Sequence, residues 1–452
     1  MSTSASSEFD VVIVGGGICG VSTAFYLLEL GFPPARLILI EAEGIASKAS
    51  GKAAGFLARD WHAAPTASLG RLSFVLHGEL ARRFDGPAAY GYREKLECVS
   101  LAVRPAGQQA VGKAGRTALL QGAARGEQED EKEALPESSA PHSAVHELIF
   151  RARPPTSGPA AASASAWLHA RNVRNKERIG EEENDGNPGS AQVHPRAFCT
   201  TLWRECERRG ARLVQGLVGG ELEKEASSDR RALRITNEEG HEIVVPFDKL
   251  VVAAGPWSGE VLRSLCGFDA GITNLPGHSV VIEPTEAVAA AALFADIDSV
   301  NADEVTPGPE LFSRPDSNDG RTTVYAAGEN SGAPLPATAL AEAEVPIDDA
   351  AIARLLKACA LISPALAEGR VVRKALCYRP TTRRGQPIIS SVPGSDGRLF
   401  LLSGHGPWGI SLGPGSGKVM AELVLDRTPS ADISSLALRL PSSVKDATSA
   451  RA

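Results

Sequence analysis

No run of eighteen apolar residues occurs in this chain of 452, which excludes a membrane-spanning helix. There is no basic excess either: 47 Lys and Arg stand against 54 Asp and Glu, a formal net charge of -7. Nucleic-acid binders show the opposite sign, so no nucleic-acid partner is expected. No two cysteines have C-x-x-C spacing. The seven present, Cys19, Cys98, Cys199, Cys206, Cys266, Cys359 and Cys377, are odd in number and scattered. That excludes a disulfide framework and a paired zinc site, so no metal is expected, and it suits a reducing compartment. The stretch from Met1 to Asp10 is polar and Ser-rich, without a basic or apolar signal region, and Ala450-Arg451-Ala452 is no convincing peroxisomal address. A cytoplasmic protein is expected.

What is present is ordinary for a globular chain: 43% hydrophobic and 22% charged residues, at a length that implies two or more domains. Phe9 to Val14 is a short β-branched run, the pattern of a strand buried on both faces. Gly15-Gly16-Gly17 follows, then helical spacing from Ile18 to Leu30, a Gly31 stop, and a second strand from Arg36 to Ile40. Ser47 to Gly55 is small and Gly/Ala-rich, so the backbone there can approach a ligand closely. A helical pattern resumes from Leu72 to Phe84. From 106 to 166 and from 181 to 190 periodicity is lost and charge clusters appear, which reads as disordered surface insertions. Order returns at Val193-His194-Pro195 with a helix, then meander-like strands, and a buried strand Leu250 to Ala254 ending in Gly255-Pro256-Trp257. The last elements are a buried strand, Leu399 to Leu402, a Gly-rich turn, and a helix from about Gly417 to Leu425.

Gly15-x-Gly17-x-x-Gly20 therefore sits between a strand and a helix, with Glu41 at the end of the next strand. Gly15 permits the tight turn, Gly17 lets the backbone meet a pyrophosphate, and Gly20 lets helix and strand pack closely. The helix start offers unpaired N–H groups and partial positive charge to the diphosphate, and Glu41 can accept from both ribose hydroxyls. A dinucleotide is expected. The motif alone does not separate NAD from FAD, but the candidate cofactor segments are spread along the whole chain. That suits FAD, a longer ligand threaded through its domain.

Four blocks carry a resemblance to the D-amino-acid oxidase family of flavoproteins, with its glycine oxidase and sarcosine oxidase branches. They are Val11 to Gly17 with Glu41; Ala253-Ala254-Gly255-Pro256-Trp257-Ser258; Cys377-Tyr378-Arg379-Pro380-Thr381-Thr382; and Gly404-His405-Gly406-Pro407-Trp408-Gly409-Ile410. The stretch from Ser50 to Leu57 looks closest to a eukaryotic, fungal-like branch. The resemblance implies an α/β plus α+β architecture: an FAD-binding Rossmann-like (GR2-type) domain with an antiparallel-sheet substrate domain. Residues 8–100, 191–268 and 372–430 would form the first, and 269–371 with part of 101–190 the second.

The resemblance also assigns roles. Gly15, Gly17, Ile18 and Gly20 would hold the pyrophosphate, and Glu41 the adenosine ribose. Lys48, Ser50, Gly51, Ala53 and Ala54 would run along the ribityl chain and ring, and Val218 would meet adenine through its backbone. Ala254 and Gly255 would close around the adenosine half. Gly404, Gly406, Gly409 and Ile410 would lie beside the isoalloxazine, where helix N–H groups stabilise negative charge. Arg379 would grip the substrate carboxylate, since a guanidinium fork matches carboxylate geometry. His405 would polarise the ring or a substrate amine, or pack. Trp408 stands where sarcosine oxidases have a lysine that contacts the carboxylate. Cys377 aligns with the cysteine that carries covalent flavin in that branch, although non-covalent FAD is the expectation. Trp61-His62 and His278 are further pocket candidates.

The implied function is an FAD-dependent oxidoreductase that oxidises a C–N bond of an amino acid or N-substituted amino acid by hydride transfer to flavin N5. Its partners would be a small-molecule amine or amino acid and either oxygen or another electron acceptor. The alternative is a flavoprotein with a mainly non-catalytic assembly or trafficking role; a third option is an NAD-dependent dehydrogenase.

Overall fold

The computed structural model describes residues 10–104, 156–159, 167–179, 189–224, 230–298, 308–315 and 321–438. Most of the two stretches read as insertions lies outside these residues. Within those stretches, Thr156–Pro159 is a strand, and Ser190 opens the strand Ser190–Gln192.

The opening run folds as its pattern predicts. Val11–Val14 has every side chain buried because it lies in the middle of a six-stranded sheet, paired in parallel with Leu37–Glu41 on one side and Lys249–Val252 on the other. Arg212–Gln215 extends the sheet beyond Leu37–Glu41, and Leu399–Ser403 extends it beyond Lys249–Val252, both in parallel. Ile388–Ser391 closes that edge antiparallel. Strand order thus reverses around Val11–Val14, which opens a crevice beyond its carboxyl end, the usual ligand position in such sheets.

Helix Ile18–Glu29 packs against the long C-terminal helix Gly409–Val424. The latter begins eight residues before the expected start at Gly417, and Pro414 lies inside it. Its glycines are in the helix for close packing rather than for a turn. A Cβ on Gly413 would stand 2.2 Å from Ile18 Cγ1, and one on Gly417 2.4 Å from Ser22 Cβ. Helix Ala64–Arg83 also starts earlier than its pattern suggested and packs against the same C-terminal helix.

The second layer is an eight-stranded sheet. In order it contains Arg370–Thr382, Ile272–Glu283, Thr322–Asn330, Glu310–Pro315, Ala291–Ile297, Glu97–Val103, Val173–Ile179 and Thr156–Pro159. All neighbours are antiparallel except Ala291–Ile297 with Glu97–Val103. Two of the sheet's strands run across expected boundaries. Glu97–Val103 and Arg370–Thr382 pair in this sheet, although 8–100 and 372–430 were read as nucleotide-domain segments. A strand's own sequence does not say which sheet it joins. One face of the sheet packs on helix Asp349–Ile362 through Val280, Ile282, Val324 and Leu355. The other face, with Val281, Phe294, Phe312 and Tyr325, turns to the parallel sheet's domain and meets Phe56, Trp61 and Trp408. The site lies between the two.

Candidate functional site

A cavity of about 380 Å³ occupies that junction, beyond the carboxyl ends of the parallel strands. Its first wall is the turn after Val11–Val14. Gly15 has φ +110, and a Cβ there would lie 2.3 Å from Ala253 O, so only glycine makes this turn at this separation. A Cβ on Gly20 would fall 1.9 Å from Gly15 O, which is how that glycine brings helix onto strand without lining the cavity itself. Gly15, Gly17 and Ile18 do line it. Gly17 opens the helix without a side-chain cap of its own; instead Ser50 Oγ accepts from Ile18 N–H at 2.9 Å. Glu41 also lines the cavity, its carboxylate accepting from Gly16 N–H at 2.6 Å and Glu43 N–H at 3.1 Å. Val218, Ala254 and Gly255 complete this part of the wall.

The small-residue loop supplies Lys48, Ser50, Ala53 and Ala54 to the lining, with Ser47 and Lys52 beside them. Gly51 stands behind, where a Cβ would strike Ala46 O at 1.9 Å. Three cations fix the loop to the antiparallel sheet. Arg314 donates to Ala53 O (2.9 Å) and Ala54 O (3.2 Å), Arg373 to Gly51 O (3.2 Å), and Lys52 to Leu376 O (3.0 Å). A segment with almost no side chains is thereby held from outside.

Arg379 lines the same cavity. Its Nε donates to Leu275 O at 3.1 Å and its Nη2 to Asn330 Oδ1 at 2.8 Å, both uncharged acceptors. No carboxylate pairs with it among the described residues. The guanidinium lies close against Gly277, where a Cβ would be 2.2 Å from Nη2. Phe56, Phe294, Phe312, Tyr325 and Trp408 form an aromatic wall in the same cavity. Phe56 is its hub, with ring centroids 5.5 Å from Phe312, 5.9 Å from Phe294 and 6.5 Å from Trp408.

His405 borders the cavity, yet its imidazole is engaged elsewhere: Nε2 lies 2.9 Å from Ser416 Oγ and Nδ1 3.7 Å from Cys19 Sγ. Burial lowers its pKa to about 4, so the ring is neutral. It ties the C-terminal helix to the first helix, which corresponds to the packing alternative. Gly404 (φ +86) makes the turn into that helix, and Gly406, Gly409 and Ile410 bring the helix's unpaired first N–H groups to the cavity. Trp61 and His62 stand behind the aromatic wall, Trp61 against Phe56 and His62 against Trp408. His278 lines the cavity too, while its Nε2 accepts from Asp348 N–H at 3.2 Å. Cys377 lines the cavity, and burial raises its thiol pKa, which keeps it protonated.

The model of the FAD dependent oxidoreductase (DAO) family matches residues 10–423. The chain belongs to this family. A Schizosaccharomyces pombe protein named as an oxidoreductase is 31% identical over 437 residues, covering 93% of this chain and 95% of that protein. The glycine oxidase of Pseudomonas aeruginosa is 29% identical over 185 residues, 41% of this chain and 44% of its own. Among solved structures, glycine oxidase from Geobacillus kaustophilus superposes with a TM-score of 0.67 at 19% identity, covering 96% of this chain and 99% of that one. Iminodiacetate oxidase from Chelativorans gives 0.65 at 19%, covering 95% and 98%. These likenesses show the fold: a Rossmann-like parallel sheet with an antiparallel sheet beside it.

FAD is the cofactor of the family, and the residues present fit it. The backbone at Gly15 and Gly17 is bare, the first helix starts at the cavity, and Ser47 Oγ is buried without a hydrogen-bond partner among the described residues. Ser47, Lys52, Phe56, Phe312 and Tyr325 were not singled out from the sequence. Ser47 and Lys52 belong to the recognised loop, so position alone could have flagged them. Phe312 and Tyr325 lie on strands whose pairing no local pattern reveals.

Proposed function

We propose that this protein oxidises a C–N bond of an amino acid or N-substituted amino acid, with Arg379 gripping the substrate carboxylate. The observation that carries this reading is an arginine in the cofactor cavity whose protein partners are a carbonyl and an amide. Here the two neutral acceptors set the plane of the guanidinium and leave its positive charge for a ligand. FAD supplies the two-electron acceptor. The residues around it supply position: a two-pronged carboxylate contact fixes the substrate's orientation, and the reaction then needs alignment more than a proton-transfer residue. The aromatic wall from Phe56 to Trp408 keeps water from the reacting carbon. The first turn of Gly409–Val424 presents N–H groups where negative charge develops. In this reading Gly15, Gly17, Ile18 and Glu41 hold the pyrophosphate and ribose, with Gly20 keeping the helix start against the strand from behind. Lys48, Ser50, Ala53 and Ala54 follow the ribityl chain with Gly51 packed behind them, while Val218, Ala254 and Gly255 enclose the adenosine.

The test is anaerobic titration of the purified yellow protein with glycine, sarcosine and pooled D- and L-amino acids, followed at the flavin absorbance. Bleaching by one of these, with formation of an oxo acid or aldehyde and an amine, is the expected result. A flavin that none of them reduces, but that a carboxylate-free amine does, would overturn the reading.

A further inference from the structure

Between the strand Thr322–Asn330 and the helix Asp349–Ile362 the chain runs through residues 331–348, with one short helical turn at Leu340–Glu344. Ala337, Thr338 and Ala339 of this segment line the FAD cavity. Both ends are fixed to the antiparallel sheet: Ser331 N–H donates to Pro276 O at 2.9 Å, and Asp348 N–H to His278 Nε2 at 3.2 Å. The middle crosses to the nucleotide domain and is held there at two points. Trp257 Nε1–H, just after the Ala254-Gly255 turn, donates to Pro336 O at 2.8 Å. Glu342 reaches the small-residue loop, 3.0 Å from Lys52 Nζ and 3.4 Å from Lys48 Nζ.

Across 331–348 Glu342 is the one buried residue, and every other is half-buried or exposed. Within it only Ile347, next to the helix Asp349–Ile362, packs against an apolar core, and the part that crosses to the nucleotide domain has no apolar anchor. Its single buried side chain is a carboxylate at 6% exposure, held by Coulombic attraction to two ammonium groups, since neither contact has hydrogen-bond alignment. A carboxylate so placed stays only while paired; when the segment lifts, Glu342 regains water, Lys48 keeps Glu43 Oε2 at 2.5 Å and Lys52 keeps Leu376 O at 3.0 Å. That is the energetic character of an element that opens: few apolar contacts to break and a hydrated open state.

We propose that residues 331–348 form a strap that retains FAD, latched by Glu342 to Lys48 and Lys52, and that FAD enters and leaves when this latch opens. The proposal depends on FAD binding and not on which substrate is oxidised. Glu342 acts as a positioning residue through the two lysines.

The holoprotein is diluted to nanomolar concentration, and release of FAD is followed by the rise in flavin fluorescence, for wild type and for the Glu342→Gln, Glu342→Asp and Trp257→Phe variants. Glu342→Gln is expected to release FAD at least tenfold faster with the melting temperature of the apoprotein unchanged. Glu342→Asp should restore part of the retention, and Trp257→Phe should accelerate release by a smaller factor. In parallel, cleavage after the exposed Glu344 by a Glu-specific protease should be slower in the holoprotein than in the apoprotein. A Glu342→Gln release rate within twofold of wild type overturns the proposal, and so does cleavage after Glu344 at the same rate with and without FAD. If Glu342→Gln does not fold, Trp257→Phe decides: release at the wild-type rate refutes the strap, and faster release supports it.

Discussion

Replacing Arg379 by Met tests the proposed function most directly, because the side chain keeps its length and loses its charge and donors. A guanidinium has five N–H donors, and Arg379 commits Nε to Leu275 O and Nη2 to Asn330 Oδ1, which leaves enough for a two-pronged contact. Each charge-assisted hydrogen bond contributes about 1.5–3 kcal/mol. Arg379 is half-buried, so the lower value applies to each of two bonds, and their sum corresponds to a loss on the order of 100-fold in affinity. The assay is the perturbation of the flavin absorption band by a simple monocarboxylate such as benzoate. Its Kd should rise by that factor in Arg379→Met while FAD content stays at one per chain. The same factor should appear in kcat/KM for a carboxylate substrate. Arg379→Lys, which keeps the charge without the fork, should fall between the two. Benzoate binding by Arg379→Met within threefold of wild type would refute the carboxylate role.

Gly277→Ala should copy the Arg379→Met defect with FAD still bound, because the added Cβ would stand 2.2 Å from Nη2 and push the guanidinium out of place; wild-type benzoate affinity would count against that geometry. FAD should leave the protein completely on acid precipitation, since Cys377 is buried and its thiol pKa is raised; a fluorescent band retained on a denaturing gel would show the opposite. His62, His77 and His405 are each brought by burial from the ordinary 6.5 to about 4, so between those values the unfolded chain binds more protons than the folded one. Stability should therefore fall as pH drops from 6.5 towards 4, by at most about 3 kcal/mol per imidazole, and a denaturant midpoint that is flat from pH 7 to 5 would contradict it.

What was legible in the sequence is what local chemistry dictates. A β-branched run with no polar face, three glycines at fixed spacing and a following acid leave one arrangement for Val11 to Glu41, and the chain adopts it. Arg379 was singled out from a contiguous motif in the same way, and it lines the cavity. What stayed hidden depends on pairings between distant segments. Gly277 looks like any glycine after a proline until the sheet register sets it beneath Arg379. Gly413 reads as part of a turn before a helix starting at Gly417, because glycine costs a helix roughly 1 kcal/mol relative to Ala, and that cost is offset by the close approach of Ile18 to Gly413 and of Ser22 to Gly417. Glu342 carries no local signal of burial; it is buried beside two lysines in a loop near the other end of the chain. Each of these residues breaks a local preference, and each does so beside the cavity or against the helices that shape it. A glycine inside a helix, a glycine against an arginine and a carboxylate under a strap are costly placements offset by close packing and charge pairing around the cavity.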